Sequence, residues 1–173
     1  MPITSVDVVY AIYFIFPAYC ANAIPVIFGG GHPIDYGRTF LDGKPIFGAH
    51  KTFRGFFAGL LIGTLVGVLQ SVSSKLFSTP FFEYPLLLGF TISLGALLGD
   101  LVDSFIKRRL NLSPGAPFPI ADQLDFVVGA LLFSLFVSPP SLTTALLIIV
   151  VTPPIHLLTN FIAYLLGVKK TPW

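Results

Sequence analysis

Charge is scarce in this 173-residue chain: Asp, Glu, Lys and Arg make up 10% of it, against about 25% in a soluble domain. With 54% hydrophobic residues and a mean hydropathy of +0.86, that scarcity excludes a water-soluble globule and points to an integral membrane protein. Cysteine is nearly absent. The single Cys20 sits in an apolar run and reads as a small buried hydrophobe, which excludes a disulfide framework and a cysteine metal cluster. The amino-terminal stretch has no basic n-region, and the first apolar run passes Pro17 without an A-x-A-like cleavage site. The first helix is therefore expected to stay in the mature protein rather than leave as a signal peptide. No P-loop, Rossmann glycine fingerprint or Ser-His-Asp arrangement is legible. A net charge of +2 is modest, and attraction of the basic residues to a lipid surface accounts for them without nucleic acid.

What is abundant is hydrocarbon. Apolar stretches cover 6–28, 56–72, 84–101, 126–137 and 142–168, most of them near the ~20 residues that cross a bilayer. The expected fold is all-α, a polytopic membrane protein of five transmembrane helices in a single membrane-embedded domain, 1–173, with the fourth helix short. Arg38, Lys44, Lys51 and Arg54 lie between the first two helices, Lys107, Arg108 and Arg109 between the third and fourth, and Lys169 and Lys170 after the fifth. The alternate side has only Lys75 and an uncharged Ser-Pro-Pro-Ser turn at 138–141. By the positive-inside rule the N-terminus is outside, the C-terminus is cytoplasmic and both polar loops face the cytosol. Trp173 reads as an interface anchor. There is no internal repeat.

The two polar loops hold nearly all the chemistry. Loop one, 29–55, interleaves turn residues with Asp35, Asp42, Lys44, Lys51, Thr52 and Arg54, and it is too long for a mere connection in so small a protein. Loop two, 104–121, joins the basic triplet to a Ser-Pro-Gly-Ala-Pro-Phe-Pro run that is incompatible with continuous helix. Pro25 in the first helix and Pro153-Pro154 in the fifth would kink those helices and widen a crevice.

Loop two is flanked by four aspartates, Asp100 and Asp103 before it and Asp122 and Asp125 after it, half of the chain's eight acidic residues. Carboxylates beside hydrocarbon are costly unless paired or bound to a cation, and so mark a functional site. Each pair is spaced i, i+3, which puts both carboxylates on one helix face. A structural reading also exists: Asp122 and Asp125 suit a helix N-terminus, and Asp103 can pair with Lys107 one turn on. Asp100 and Asp103, however, stand at a helix C-terminus, where the dipole opposes negative charge. The quartet is the candidate metal site, and an all-oxygen donor set selects Mg²⁺, or Mn²⁺, over zinc.

Lys51-Thr52-Phe53-Arg54-Gly55 leads into the second helix, where backbone amides, a hydroxyl and two cations suit phosphate. Membrane-interface anchoring is the plainer alternative. Together with the metal site, these residues match a nucleoside-triphosphate reaction, with the cations stabilising charge at the transferred phosphorus. Lys51 is the candidate catalytic cation; Asp35, Asp42, Lys44, Thr52 and Arg54 are candidate substrate-binding residues. Asn22, the amide in the first apolar stretch, serves either a neighbouring helix or a ligand. His32, His50 and His156 lack metal-ligand spacing and read as packed or interfacial histidines.

Gly99-Asp100, Asp103-Ser104-Phe105-Ile106-Lys107-Arg108 and Asp122-Gln123-Leu124-Asp125 resemble the signature of the phosphatidate cytidylyltransferases, membrane enzymes that make CDP-activated lipids from CTP. Three departures stand out: no Lys-Asp follows Lys107-Arg108, Pro117-Phe118-Pro119 replaces a His-Gly-Gly turn, and Gln123 replaces Arg. With the short length and the Asp-Gly and Lys-Thr-x-Arg-Gly patterns of loop one, they are similar to the archaeal branch, the CDP-archaeol synthases. The resemblance implies transfer of CMP from CTP to an isoprenoid ether lipid phosphate, 2,3-di-O-geranylgeranylglyceryl phosphate, with release of pyrophosphate. It also implies Mg²⁺ held by the aspartates, a cell-membrane location with the site facing the cytoplasm, and roles in substrate binding for Ser104, Lys107 and Arg108. Two alternatives are a CDP-alcohol phosphotransferase, whose Asp-Gly-x-x-Ala-Arg pattern is missing after Asp42-Gly43, and a cation transporter, which would want its carboxylates near mid-membrane.

Overall fold

The computed structural model of the chain describes residues 3–76, 83–113, 116–169 and 171. The expectations for Pro114, Gly115, Lys170 and Trp173 lie outside them. The described chain is all-helical: α1 (Ser5–Phe28), α2 (Phe53–Leu76), α3 (Leu88–Arg109), α4 (Ala121–Ser134) and α5 (Leu142–Leu165). Each apolar stretch read from the sequence has become a helix. Four of them, α1, α2, α3 and α5, are long and apolar enough to cross a membrane. The 14 residues of α4 make about 21 Å of helix, shorter than the ~30 Å hydrocarbon core.

Local sequence starts these helices. Thr4 and Asp7 form a capping box on α1, the Thr4 amide donating to Asp7 Oδ2 at 2.8 Å. Thr52 opens α2, its hydroxyl accepting from the Gly55 amide at 3.2 Å, and Ser141 caps α5 through the Thr144 amide. Both α1 and α5 run on through their internal prolines.

Packing is inverted relative to a soluble bundle. The inward ridge of α2 is Gly55, Gly59, Gly63 and Gly67, continued by Gln70 and Ser71, while Phe57, Leu61, Leu65 and Leu69 are exposed on its outer face. Without a hydrophobic force between helices in lipid, close backbone approach through small residues supplies the contact. A methyl on Gly63 would lie 2.2 Å from Ser93 Oγ of α3 and 2.8 Å from the Pro17 carbonyl oxygen of α1, so the first three helices meet there. The same device joins α3 to α4, where a methyl on Gly95 would lie 2.4 Å from the Gly129 carbonyl oxygen. The core between α1, α3, α4 and α5 is apolar, built on Phe14, Ile15, Leu88, Ile92, Phe126 and Ile148. α5 packs on α1 and α4. This arrangement gathers loop one, loop two and the segment after α5 at one end of the bundle, where the Lys51–Asp100 and Arg109–Asp42 ion pairs form.

Candidate active site

Loop one is folded around Asp35, which is 5% exposed. Its Oδ2 accepts from the Gly48 and Phe47 amides at 2.8 and 3.0 Å, and its Oδ1 from the Gly37 amide at 2.9 Å. Burial pushes the Asp35 carboxyl up, but the amides of Gly48, Phe47 and Gly37 outweigh it and hold the group below the ordinary carboxylate value. The Gly48 carbonyl in turn accepts from the Lys51 amide at 3.2 Å, and the Lys51 carbonyl accepts from Ile34 at 2.8 Å. The Lys51 backbone is thereby fixed, and its Nζ reaches both oxygens of Asp100, at 2.6 and 2.5 Å.

The second lysine of the site comes from α3. Lys107 Nζ stands 3.1 Å from Asp103 Oδ2, the i, i+4 pair anticipated from sequence, and also donates to Asp122 Oδ1 of α4. The other Asp122 oxygen accepts from the Phe118 amide at 2.9 Å, and Asp125 Oδ1 accepts from the Phe126 amide at 2.5 Å. All four aspartates are thus gathered between α3 and the start of α4, close enough for Asp125 to interact electrostatically with Asp100 and Asp103. Contrary to the expectation of a helix C-terminus there, α3 runs on past Asp100 and Asp103 to Arg109, with Lys107 and Arg108 in its last turn rather than in the loop. Four carboxylates face two ammonium groups, which leaves an excess of negative charge suited to a divalent cation. Among the described residues, no three acidic, His or Cys side chains already form a metal cage. Lys51 and Lys107 occupy part of the carboxylate surface instead, and each carboxylate keeps further acceptor capacity.

A cavity of about 1140 Å³ opens beside the quartet. Asp100, Asp122, Asp125, Lys51, Thr52, Lys107 and Asn22 line it, and Asp103 stands behind them, buried. The wall continues into apolar residues of α1 and α5.

Several expected substrate-binding residues sit elsewhere. Asp42 pairs with Arg109 Nε at 2.8 Å, and Lys44 Nζ donates to the Arg109 carbonyl at 2.8 Å. Arg109 also donates to the Lys44 and Pro45 carbonyls and lies over the Phe40 and Phe105 rings. These contacts give Asp42 and Lys44 a structural part: they pin loop one to the C-terminus of α3, where carbonyls attract cations. Asp35 is the interior strut of loop one. Arg54 is exposed on the first turn of α2, and Ser104 and Arg108 are buried in α3 away from the cavity wall. Residues not assigned to the site from sequence also line the cavity: Asn160, Gln123, Lys169, and His50 and His156, which read as packed or interfacial. Half-buried Cys20 is on that wall too. Burial holds Lys169 below its ordinary value, an effect that Asp122 only partly opposes.

The family model described as CarS-like, CDP-archaeol synthase, matches residues 5–173. The chain belongs to that family. It is 48% identical over 163 residues to the CDP-archaeol synthase of Pyrococcus furiosus, covering 94% of this chain and 96% of the relative. To that of Methanococcus aeolicus it is 45% identical over 172 residues, covering 96% and 97%. A solved structure of an intramembrane enzyme for archaeal membrane lipids biosynthesis superimposes with a TM-score of 0.77 at 37% identity, over 87% of this chain and 92% of that one. An all-helical membrane enzyme of this family accounts for the bundle and for a polar site at one end of it.

Proposed function

We propose that the chain transfers the CMP moiety of CTP to 2,3-di-O-geranylgeranylglyceryl phosphate, giving CDP-archaeol and pyrophosphate in phospholipid biosynthesis. Family membership supports the reaction. The observation that carries the reading at the site is the character of the cavity, whose wall has carboxylates and lysines at the bundle end and apolar residues of α1 and α5 beyond them. One substrate is a polyanion and the other an anion on long hydrocarbon tails, so a cavity with both kinds of wall suits the pair.

In the reaction, a phosphate oxygen of the lipid forms a bond to the α-phosphorus of CTP. The bond from that phosphorus to the oxygen bridging it to the β-phosphorus breaks, and pyrophosphate leaves with the bridging oxygen. Lys51 and Thr52, at the N-terminus of α2, hold nucleotide phosphate, Lys51 by its charge and Thr52 by its hydroxyl, at the end of the helix whose dipole favours an anion. Lys107 and Lys51 stabilise the charge that develops on the transferred phosphoryl oxygens. The donor set of Asp100, Asp103, Asp122 and Asp125 fits Mg²⁺, with Mn²⁺ as its substitute. When bound, the metal supplies charge compensation and orientation for the phosphate groups.

In this reading α4 completes a five-span topology despite its length, with the N-terminus outside, the C-terminus and both loops cytoplasmic, and the cell membrane as the location. The concentration of Lys and Arg at the site end of the bundle, against Lys75 at the other, supports that orientation.

The test is pyrophosphate release from CTP by detergent-solubilised protein. Release that requires both the lipid phosphate and Mg²⁺ is the expected result. Consumption of a CDP-lipid instead would mark a CDP-alcohol phosphotransferase, and cation flux without CTP turnover a transporter.

A further inference from the structure

The cavity wall formed by α5 and the segment after it carries polar residues to which the reaction above gives no role. His156 and Asn160 stand one turn apart on α5, both line the cavity, and the Asn160 amide nitrogen lies 3.2 Å from His156 Nδ1. The His156 ring leans against Phe126 of α4, with centroids 6.2 Å apart and planes 31° from parallel. Lys169 is on the same wall, within electrostatic reach of His156 and of Asp122. The same cavity is lined by apolar residues as well: Phe16, Val26 and Ile27 from α1, with Ile155 and Leu157 from α5. The polar cluster therefore shares one cavity with hydrocarbon from α1 and α5 and with Asp122 of the carboxylate quartet.

Two phosphate-bearing reactants must meet beside one carboxylate cluster. Bound to the same cations they would repel each other, whereas donors on opposite walls let one present an oxygen to the other. Lys51 and Thr52 belong to the loop-one wall; His156, Asn160 and Lys169 belong to the wall that is continuous with the apolar cleft.

We propose that His156, Asn160 and Lys169 form the subsite for the phosphate of the acceptor lipid, whose tails lie in the cleft between α1 and α5. The proposal rests on the reading of the chain as a CTP-dependent enzyme and names which wall of its site takes the lipid. His156 and Asn160 donate hydrogen bonds to the phosphate oxygens, and Lys169 supplies the positive charge.

The shared chemistry is a phosphate monoester or anhydride oxygen, and its two sources are separated by kinetics. With the full chain in detergent, KM for the lipid phosphate is measured at saturating CTP, and KM for CTP at saturating lipid. His156→Gln, Asn160→Ala and Lys169→Gln are each expected to raise the lipid KM about tenfold, the value of a hydrogen bond to a charged group, and to leave the CTP KM within about twofold. Asn160→Asp, which sets a negative charge against the phosphate, is expected to raise it further than Asn160→Ala; a packing role would not produce that order. The lipid alcohol with the same tails, used as a competitive inhibitor, is expected to inhibit wild type and variants equally.

A rise in the CTP KM with the lipid KM unchanged would assign this wall to the nucleotide and overturn the proposal. Unchanged KM values for both substrates, or weakened inhibition by the lipid alcohol in step with the lipid KM, would reduce the wall to tail packing and overturn it too. Wild-type pyrophosphate release is recorded first. If it is absent, the enzyme reading fails and the subsite with it; if it is present while the variants keep wild-type kinetics, only the subsite fails.

Discussion

A methyl group on Gly99 would lie 2.3 Å from the carbonyl oxygen of Asp125. The backbone of α4 therefore rests directly on α3 at the residue that precedes Asp100, and this contact brings the i, i+3 pair of α4 against that of α3. Gly99→Ala is expected to push the two helices apart, lowering stability by about 1–3 kcal/mol and reducing turnover more than the stability loss alone explains. Thermal unfolding in detergent, set beside CTP turnover at a temperature where both proteins are folded, checks this; wild-type values in both would contradict the close packing.

The carboxylates are expected to be individually required. Asp100→Asn, Asp103→Asn, Asp122→Asn and Asp125→Asn should each cut turnover by more than the roughly 10–100-fold that follows loss of an outer partner at a metal site. They should also raise the Mg²⁺ concentration needed for half-maximal rate. Chelation should abolish the wild-type activity, and added Mg²⁺ restore it. Near-normal activity in the Asp122→Asn, Asp125→Asn double variant would end the metal assignment.

Lys51 reaches into the site and Arg54 does not, so the two basic residues of the same motif should separate. Lys51→Ala is expected to lower kcat/KM for CTP about 100-fold, as for loss of a donor to developing charge. Arg54→Lys should cost far less, because Arg54 is exposed on the outer face of the first turn of α2. Measured kcat/KM values for both variants decide it, and an equal loss would mean that Arg54 turns inward to meet a substrate.

Asp35 predicts an acid limb in stability. Its carboxyl is held below the ordinary value, so its contribution is fully present above the unfolded-state value of about 4 and is lost as pH falls through the lower folded value. Asp35→Ala should flatten that limb and, by leaving buried amides unpaired, cost about 1–3 kcal/mol even at neutral pH. Unfolding midpoints between pH 3 and pH 7, roughly the window set by the carboxyl values, test it; an unchanged acid limb in Asp35→Ala would assign the dependence to another group.

Orientation is open to a direct measurement. Cysteines placed at Gly43 and Asn111 should be labelled by an impermeant reagent only from the cytosolic side, and one at Ser138 only from the outside. Labelling of Gly43 and Asn111 positions from opposite faces would contradict the Arg109–Asp42 contact that ties the two loops together.

The sequence by itself determined the all-helical membrane class, the order of five apolar helices, and the choice of Asp100, Asp103, Asp122 and Asp125 as the candidate site, though α3 runs on to Arg109 and α4 begins at Ala121, beyond the apolar stretches. These were legible because hydrocarbon imposes length on helices and penalises charge, and both leave marks in a single stretch of chain. Apart from the i, i+4 pair of Asp103 with Lys107, tertiary structure decided which basic residue meets which carboxylate. Asp42 and Lys51 are both loop-one residues of unremarkable spacing, yet one is bound by Arg109 and the other reaches Asp100, because the amides around Asp35 set the path of the loop. His156 and Asn160 were illegible for the same reason. A polar pair in an apolar helix carries no record of the wall it faces, and their place in the same cavity as Lys51 follows from the packing of α5 on α1 and α4, which no local pattern encodes.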